Sequence, residues 1–289
     1  MTLVDKGFRV YSGRRTPSAL RFLVLTRYAV LEIVKTRKAI SVLVLSAVVP
    51  LLAATLIYLR HNVPALAMLP GDMGAFVREL AVDGTLFYHL LRWQAGACFF
   101  LFLISGGTLI SEDLKDNALP LYLSRPIGRV EYVGGKLAVL AFLGSAVTWI
   151  PLGLLILLQT SLEGLGWLLE HPRIPLALFV GSWIVILVLG FVCLAMSALL
   201  RAKAAAEGAF LSVFLLTPLL AGVINETLDT DLGQLLNVRK LVEAVDRALF
   251  GLEPFPELGT IPATIALLVL VGVCVGFLAR KVKAYEVVK

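Results

Sequence analysis

Residues 174–200 read IPLALFVGSWIVILVLGFVCLAMSALL, a stretch of 27 positions without a charged side chain. The hydrocarbon core of a bilayer is about 30 Å thick, and a helix that rises about 1.5 Å per residue crosses it in about 20 residues. An uninterrupted apolar stretch of this length is typical of a membrane span. Residues 174–200 therefore predict a transmembrane helix.

Five more charge-free stretches occur at residues 39–59, 93–111, 137–162, 208–225 and 258–279. The six stretches are 18 to 27 residues long, whereas the next longest, residues 61–71, has only 11. Backbone groups in lipid must be hydrogen-bonded within their own segment, so isolated runs of this kind must be helical. The sequence predicts an all-α integral membrane protein with six transmembrane helices, at about 39–59, 93–111, 137–160, 175–200, 208–225 and 260–280.

The composition excludes a water-soluble protein. Hydrophobic residues make up 59% of the chain and charged residues only 16%, and the mean hydropathy is +0.90. Soluble domains carry about 25% charged residues because their surfaces face water. All three cysteines, Cys98, Cys193 and Cys274, fall inside apolar stretches, which predicts packing roles rather than a disulfide framework.

The net charge of +6 does not indicate nucleic-acid binding, because of where the basic residues lie. Arg14, Arg15, Arg21 and Arg27 adjoin an apolar run, a pattern typical of a membrane-surface segment. Placing both termini in the cytoplasm puts 19 of the 26 Lys and Arg residues on that side, in keeping with the positive-inside rule. We expect a multi-pass protein of the plasma (inner) membrane, with both termini cytoplasmic, the lipid bilayer as a partner and no nucleic-acid partner.

The cytoplasmic N-terminus, residues 1–38, contains an amphipathic segment at residues 19–38. Its polar stripe consists of Arg21, Tyr28, Glu32 and Lys35, and its apolar stripe of Leu20, Leu23, Leu31 and Val34. This spacing predicts a helix that lies in the cytoplasmic interface of the membrane. A cytosolic helix packed on protein is the alternative.

Between these residues and the C-terminus, the transmembrane domain spans residues 39–280. Two of its outer segments are long enough to fold. Residues 60–92 predict a helix around Phe76–Leu91. Residues 226–257 form an outer helical segment, in which apolar residues recur at helical spacing: Leu235, Val238, Val242, Val245 and Leu249.

Motifs for catalysis are missing from the sequence. The nearest approach to a phosphate-binding loop, Gly134-Gly135-Lys136, is followed by Leu137 instead of Ser or Thr. No HExxH motif occurs, and the spacing of the three histidines predicts no metal site. We therefore expect no enzymatic activity, no metal and no cofactor bound by this chain, and we expect the energy for its work to come from another protein.

The cytoplasmic loop between the second and third spans, residues 111–136, reads SEDLKDNALPLYLSRPIGRVEYVGGK. Ser111 is placed to cap a helix that extends to Leu119, and acidic residues in its first turn complement the helix dipole. Pro120 interrupts this helix, and Pro126 forces a turn. The loop is thus predicted to be compact and rigid, as a docking element that transmits a push must be.

This loop resembles the corresponding loop of the membrane (permease) subunits of type-2 ABC exporters. The residues that carry the resemblance are Glu112-Asp113, Leu121, Leu123-Ser124-Arg125-Pro126, Arg129, Tyr132 and Gly135-Lys136. By motif the resemblance covers residues 111–136, and by layout it covers most of the chain. The family often has a glycine shortly after the acidic pair, where this chain has Asn117-Ala118.

The resemblance implies a complex of two permease subunits, identical or homologous, with two copies of a separate ABC ATPase that binds ATP and Mg. It also implies that the loop docks on the ATPase. The implied coupling residues are Glu112, Asp113, Lys115, Asp116, Arg125 and Arg129. For Arg125 and Arg129, contact with lipid headgroups is an equally good interpretation.

The interior faces of the second and fifth spans predict the class of substrate. They are apolar with small polar groups, and the candidate path residues are Gln94, Ser105, Ser212 and Thr217. Such surfaces suit an amphipathic or lipid-like molecule that is exported, rather than a free ion. Two alternatives remain open: a membrane scaffold or assembly subunit without a transport path, and an ATP-independent carrier.

Overall fold

The computed structural model describes residues 21–62, 74, 77, 79–116 and 128–281, and this part of the chain is helical almost throughout. The α-helices are α1 (Arg21–Val34), α2 (Arg37–His61), α3 (Gly84–Lys115), α4 (Arg129–Val147), α5 (Trp149–Glu163), α6 (Leu165–Glu170), α7 (Arg173–Leu199), α8 (Lys203–Leu228), α9 (Val238–Phe250) and α10 (Thr260–Lys281). A short 3-10 helix, Leu232–Leu236, precedes α9.

In the part of the chain that the structure describes, six helical segments are long and apolar enough to cross a membrane, in agreement with the all-α prediction and its six predicted spans. They are α2, α3, the α4–α5 pair, α7, α8 and α10. Among the described residues, the only β-type pairing is an isolated bridge between Phe255 and Leu258.

Helix α3 begins earlier than the charge pattern predicted. The side chain of Asp83 accepts a hydrogen bond from the backbone N–H of Leu86 and so caps the helix at its first turn. Residues 84–91 then continue directly into the predicted span. The predicted helix around Phe76–Leu91 is therefore confirmed as helical over residues 84–91, but these residues are the start of the 32-residue α3, and residues 80–83 before them are not helical.

The third span is two helices with a break at Thr148. Its backbone has φ −93° and ψ −91°, and its hydroxyl donates to the carbonyl oxygen of Gly144 at 2.8 Å. Pro151 follows three residues later and has no N–H to donate to a helical hydrogen bond. The two helices cover 35 residues, about 52 Å if they were straight. That length exceeds the bilayer core, so a bent path is expected.

Helix α7 lies at the centre of the bundle, against α3, α4, α8 and α10. In its most apolar stretch 61% of residues are buried within the protein, compared with 11% in α8, 17% in α2 and 22% in α10. Helices α2, α8 and α10 therefore turn most of their apolar surface outward, towards lipid or another protein.

Helix α9 and helix α1 pack at opposite ends of the bundle. Arg92, near the start of α3, contacts Glu243 of α9, whereas Thr26 of α1 donates to the carbonyl oxygen of Gly135 near the start of α4 at 3.0 Å. The start of α4 lies beside the end of α3, as the contacts described below establish. The end that carries α9 is called the α9 end.

Helix α9 is amphipathic and buries Leu241, Ala244 and Val245 against the bundle. Asn237 caps its start, and Gly251 ends it at φ 79°, a conformation that favours glycine. Arg173, the first residue of α7, donates to the carbonyl oxygen of Leu249 at 2.7 Å and to that of Ala248 at 2.5 Å. The start of α7 and the end of α9 are thereby joined.

Helix α1 contacts the bundle through Thr26 and Ile33, both of which are buried. On its other sides Leu23, Leu31 and Val34 are exposed. The apolar stripe of the amphipathic pattern thus faces away from the protein. A position in the membrane interface stays a prediction.

Candidate coupling site and cavity

A cluster of three side chains joins the end of α3 to the first two turns of α4. Lys136 Nζ lies 2.7 Å from Asp113 Oδ2, and the Tyr132 hydroxyl donates to the same oxygen at 2.5 Å. The Lys136 ammonium also lies 5.5 Å from the centre of the Tyr132 ring. We call Asp113, Tyr132 and Lys136 the α3–α4 clamp.

The clamp is largely shielded from solvent, and this makes its charges interact strongly. The side chains of Asp113 and Lys136 are each 15% exposed, and Tyr132 is fully buried. Tyr132 and Lys136 are four residues apart, so they stand on one face of α4. A shielded carboxylate that receives both an ammonium and a hydroxyl is well compensated for its loss of hydration.

The predicted coupling residues fall into two groups in the structure. Glu112, Lys115, Asp116 and Arg129 are exposed around the clamp and are free to meet another protein surface. Asp113 is not, because its carboxylate is already bound to α4. Within this chain Asp113 thus has an internal role, and its role as a docking contact stays a prediction. Arg125 lies outside the described residues.

Ser111 does not begin a helix, so the predicted cap is wrong. It is a buried residue inside α3, and its hydroxyl donates to the carbonyl oxygen of Gly107 at 2.5 Å. Residues 112–115 are the last turn of the spanning helix itself, and of the predicted helix to Leu119 the last three residues are not described. The coupling segment is thus a direct extension of α3.

Ser197 of α7 anchors this part of α3. Its hydroxyl oxygen accepts from the backbone N–H groups of Ile110 and Ser111 at 3.0 Å each, and it donates to the Gly107 carbonyl oxygen at 3.0 Å. One turn earlier, a side chain at Gly106 would overlap the sulfur of Cys193. Small residues therefore let α3 and α7 approach closely.

The four predicted path residues are not gathered at one place. Gln94 Nε2 donates to the Ser46 carbonyl oxygen at 2.9 Å and so links α3 to α2. Ser105 and Ser212 donate to carbonyl oxygens of their own helices. Thr217 Oγ1 is buried without a hydrogen-bond partner among the described residues.

A cavity of about 660 Å³ opens at the α9 end, between α3, α7, α8 and α9. Its apolar wall includes Phe99, Phe100, Val185, Leu189, Leu211, Phe214, Leu215 and Val242. Its polar wall includes His89, Arg92, Arg239, Glu243 and Asp246. None of the four predicted path residues lines it, although α3 and α8 both contribute to it.

The polar wall is organised around one carboxylate oxygen. Arg92 Nη2 lies 2.6 Å from Glu243 Oε1, and Arg239 Nε donates to the same atom at 2.9 Å. Asp246, one turn further along α9, is 3% exposed, and its Oδ1 atom has no hydrogen-bond partner among the described residues. Burial, and secondarily the Glu243 carboxylate, raises the pKa of Asp246 well above its ordinary value, while Arg92 opposes this shift.

Tyr132 and Lys136 were identified from the sequence only as parts of a motif. The charged residues that line the cavity were not predicted as site residues. The four-residue spacing of Tyr132 and Lys136 was a usable signal for a shared face. Among the described residues, no group of three or more His, Cys, Asp or Glu side chains is arranged to hold a metal ion. No protein-family model and no curated protein sequence matches this chain.

Proposed function

We propose that this chain is the permease subunit of an ATP-binding cassette exporter in the plasma (inner) membrane, with both termini cytoplasmic. In this proposal it pairs with a second permease subunit, identical or homologous. Two copies of a separate ATPase bind ATP and Mg and dock beside the clamp. The α3–α4 clamp is the observation that carries the proposal, because it places exposed charges on a segment that is braced against the bundle.

The structure supports a mechanical route from this docking site to the other end of the protein. Force on Glu112, Lys115, Asp116 or Arg129 acts on the last turn of α3 or the first turn of α4. Helix α3 is continuous from Lys115 back to Gly84, and its early turns line the cavity. A rigid-body shift of α3 against α7 would therefore change the shape of the cavity.

The apolar wall of the cavity supports an amphipathic or lipid-like substrate. Drug-sized and cofactor pockets are commonly about 300–1,000 Å³, mostly apolar, with a few polar groups that orient the ligand. The cavity has this size and division. It replaces Gln94, Ser105, Ser212 and Thr217 as the proposed substrate site.

The decisive experiment is recovery of the chain from its native membrane with a C-terminal tag, followed by ATPase assay and subunit counting. We expect two ATPase copies for two permease subunits. Glu112→Lys with Asp116→Lys should abolish this association while membrane insertion is retained. The matched control is Glu253→Lys, which reverses an exposed charge at the α9 end.

An ATPase retained by the Glu112→Lys/Asp116→Lys variant would overturn the docking assignment. Recovery of the wild-type chain with no nucleotide-hydrolysing partner would overturn the exporter proposal and favour a scaffold or an ATP-independent carrier.

A further inference from the structure

The cavity at the α9 end is divided into an aromatic part and a charged part. Phe99 of α3 stacks on Phe210 of α8 with ring centres 5.1 Å apart, and its ring centre is 5.0 Å from that of Phe214. Phe210 and Phe214 are themselves 5.2 Å apart. Phe99 and Phe214 both line the cavity, so its apolar wall is a packed aromatic surface.

The charged part is built on two arginine side chains that meet at one glutamate. Two guanidinium groups, of Arg92 and Arg239, share a single carboxylate, that of Glu243. Asp246 is the other acidic residue in the wall, and its burial favours the neutral form, in which a carboxyl group donates a hydrogen bond. Arg239 is 69% exposed in its side chain, so its guanidinium can turn to meet an incoming group.

We propose that this cavity binds an anionic amphiphile, with its chain along Phe99 and Phe214 and its carboxylate or phosphate head at Arg92 and Arg239. Planar guanidinium groups pair with carboxylate and phosphate through two parallel hydrogen bonds, and this geometry selects an anion. A cationic head would meet two like charges in a partly dehydrated space and is disfavoured.

The assignment of this molecule as the exported substrate rests on the proposed function. Its binding does not, because it needs only this chain. A failure of binding therefore leaves the coupling proposal intact, and the absence of an ATPase leaves the binding site intact.

Trp93 lines the cavity and provides a direct probe. The full chain is placed in nanodiscs of phosphatidylcholine, and 9,10-dibromostearate is titrated while indole fluorescence is followed, since bromine quenches indoles on contact. We expect saturable quenching that is absent in Trp93→Phe and is reversed by unbrominated stearate. A brominated stearylamine should show no saturable component, and acetate or inorganic phosphate alone should not compete.

Two variants with opposite expected effects on stearate binding distinguish recognition of charge from damage to the fold. Arg239→Gln removes an exposed guanidinium and should weaken stearate binding about tenfold, the size expected for a hydrogen bond to a charged group. Glu243→Gln frees both guanidinium groups and should tighten binding severalfold, which a merely damaged site would not do. Lys203→Gln, on an exposed lysine of α8 that is not among the residues lining the cavity, is the matched control.

Quenching that never saturates, or that is equal for the brominated acid and amine, would mean that the probe only partitions into the bilayer, and it would overturn the inference. A Glu243→Gln variant that binds stearate more weakly would overturn the role given to the two arginines.

Discussion

Lys136 lies two turns into α4, and its Nζ atom is 2.7 Å from Oδ2 of Asp113. Asp113 is in the last turn of α3, three residues before Asp116, the last residue described at that end of the helix. Tyr132 donates to the same carboxylate oxygen. The chain between Asp116 and Gly128 leaves α3 and returns to α4, so the clamp fixes the two points between which this connection runs. Charges that flank the clamp therefore move together with both helices.

Breaking the clamp should destabilise the protein and loosen the coupling segment. Lys136→Met leaves the Asp113 carboxylate shielded without its cation and should lower the free energy of unfolding by about 1.5–3 kcal/mol. Thermal unfolding can be followed through the reactivity of Cys98, Cys193 and Cys274, which are all buried. Lys115→Met removes an exposed charge nearby and should change stability by about 0.5 kcal/mol or less.

The exchanged pair tests whether the ion pair itself is responsible. Asp113→Lys combined with Lys136→Asp restores opposite charges at the two positions and should recover part of the loss. If the loss of unfolding free energy in the double variant equals the sum of the losses in the two single variants, the ion pair does not join the helices as described.

A second prediction concerns the hydroxyl of Ser197. Ser197→Ala removes three hydrogen bonds between α7 and the backbone of α3 and should cost about 1–2 kcal/mol, towards the upper end of values for polar contacts between membrane helices. Ser212→Ala is the control, since that hydroxyl bonds within its own helix. Equal midpoints in chemical denaturation for the two alanine variants would contradict a bridging role for Ser197.

The close approach of α3 and α7 gives a third prediction. Gly106→Ala should destabilise the bundle because its new methyl group would overlap the Cys193 sulfur. Adding Cys193→Ala removes the sulfur and should restore stability. Gly134→Ala meets no atom within 4 Å and should be neutral or stabilising, since alanine favours a helix over glycine by about 1 kcal/mol. The measurement is the melting temperature of the wild type, of Gly106→Ala, of Gly106→Ala with Cys193→Ala, and of Gly134→Ala. A double variant that melts no higher than Gly106→Ala would contradict the packing of Gly106 on Cys193.

The membrane spans could be predicted because a bilayer imposes a length and forbids charges, and both leave a local trace in the sequence. Residues 174–200 show this most clearly, since α7 runs from Arg173 to Leu199. Helix ends outside the apolar stretches leave no such trace. The start of α3 at Gly84 is capped by the Asp83 side chain, and near its other end the backbone N–H of Ser111 donates to the Ser197 hydroxyl of α7.

The site was less predictable than the fold because its contacts join residues far apart in the sequence. Asp113 is a charged residue in a predicted cytoplasmic loop, and the sequence therefore favours a docking role for it. Only the position of Lys136 in space shows that its carboxylate is already paired. The cavity wall likewise joins Arg92 of α3 to Glu243 of α9, a pairing that no periodicity encodes. Polar residues that were predicted to line the path, such as Ser105 and Ser212, donate to carbonyl oxygens of their own helices instead.

The last prediction concerns the pH dependence of stability that Asp246 confers. Its pKa in the folded protein is raised, mainly by burial, so the folded state holds a proton that the unfolded state releases above the ordinary aspartate pKa of about 4. The contribution of this group to stability is therefore fully present below that ordinary pKa and is lost as pH rises through the folded pKa. Glu243 reinforces the shift and Arg92 opposes it.

Asp246→Asn keeps the shape of the side chain and removes the ionisable group. We expect the melting temperature of the wild-type chain, followed by circular dichroism at 222 nm, to fall with rising pH more steeply than that of Asp246→Asn. At alkaline pH the asparagine variant should be the more stable of the two, because a buried carboxylate is costlier than a buried amide. Glu253→Gln, at an exposed carboxylate, should follow the wild-type curve. Parallel curves for the wild-type and Asp246→Asn chains would show that Asp246 ionises normally and has no part in the pH response.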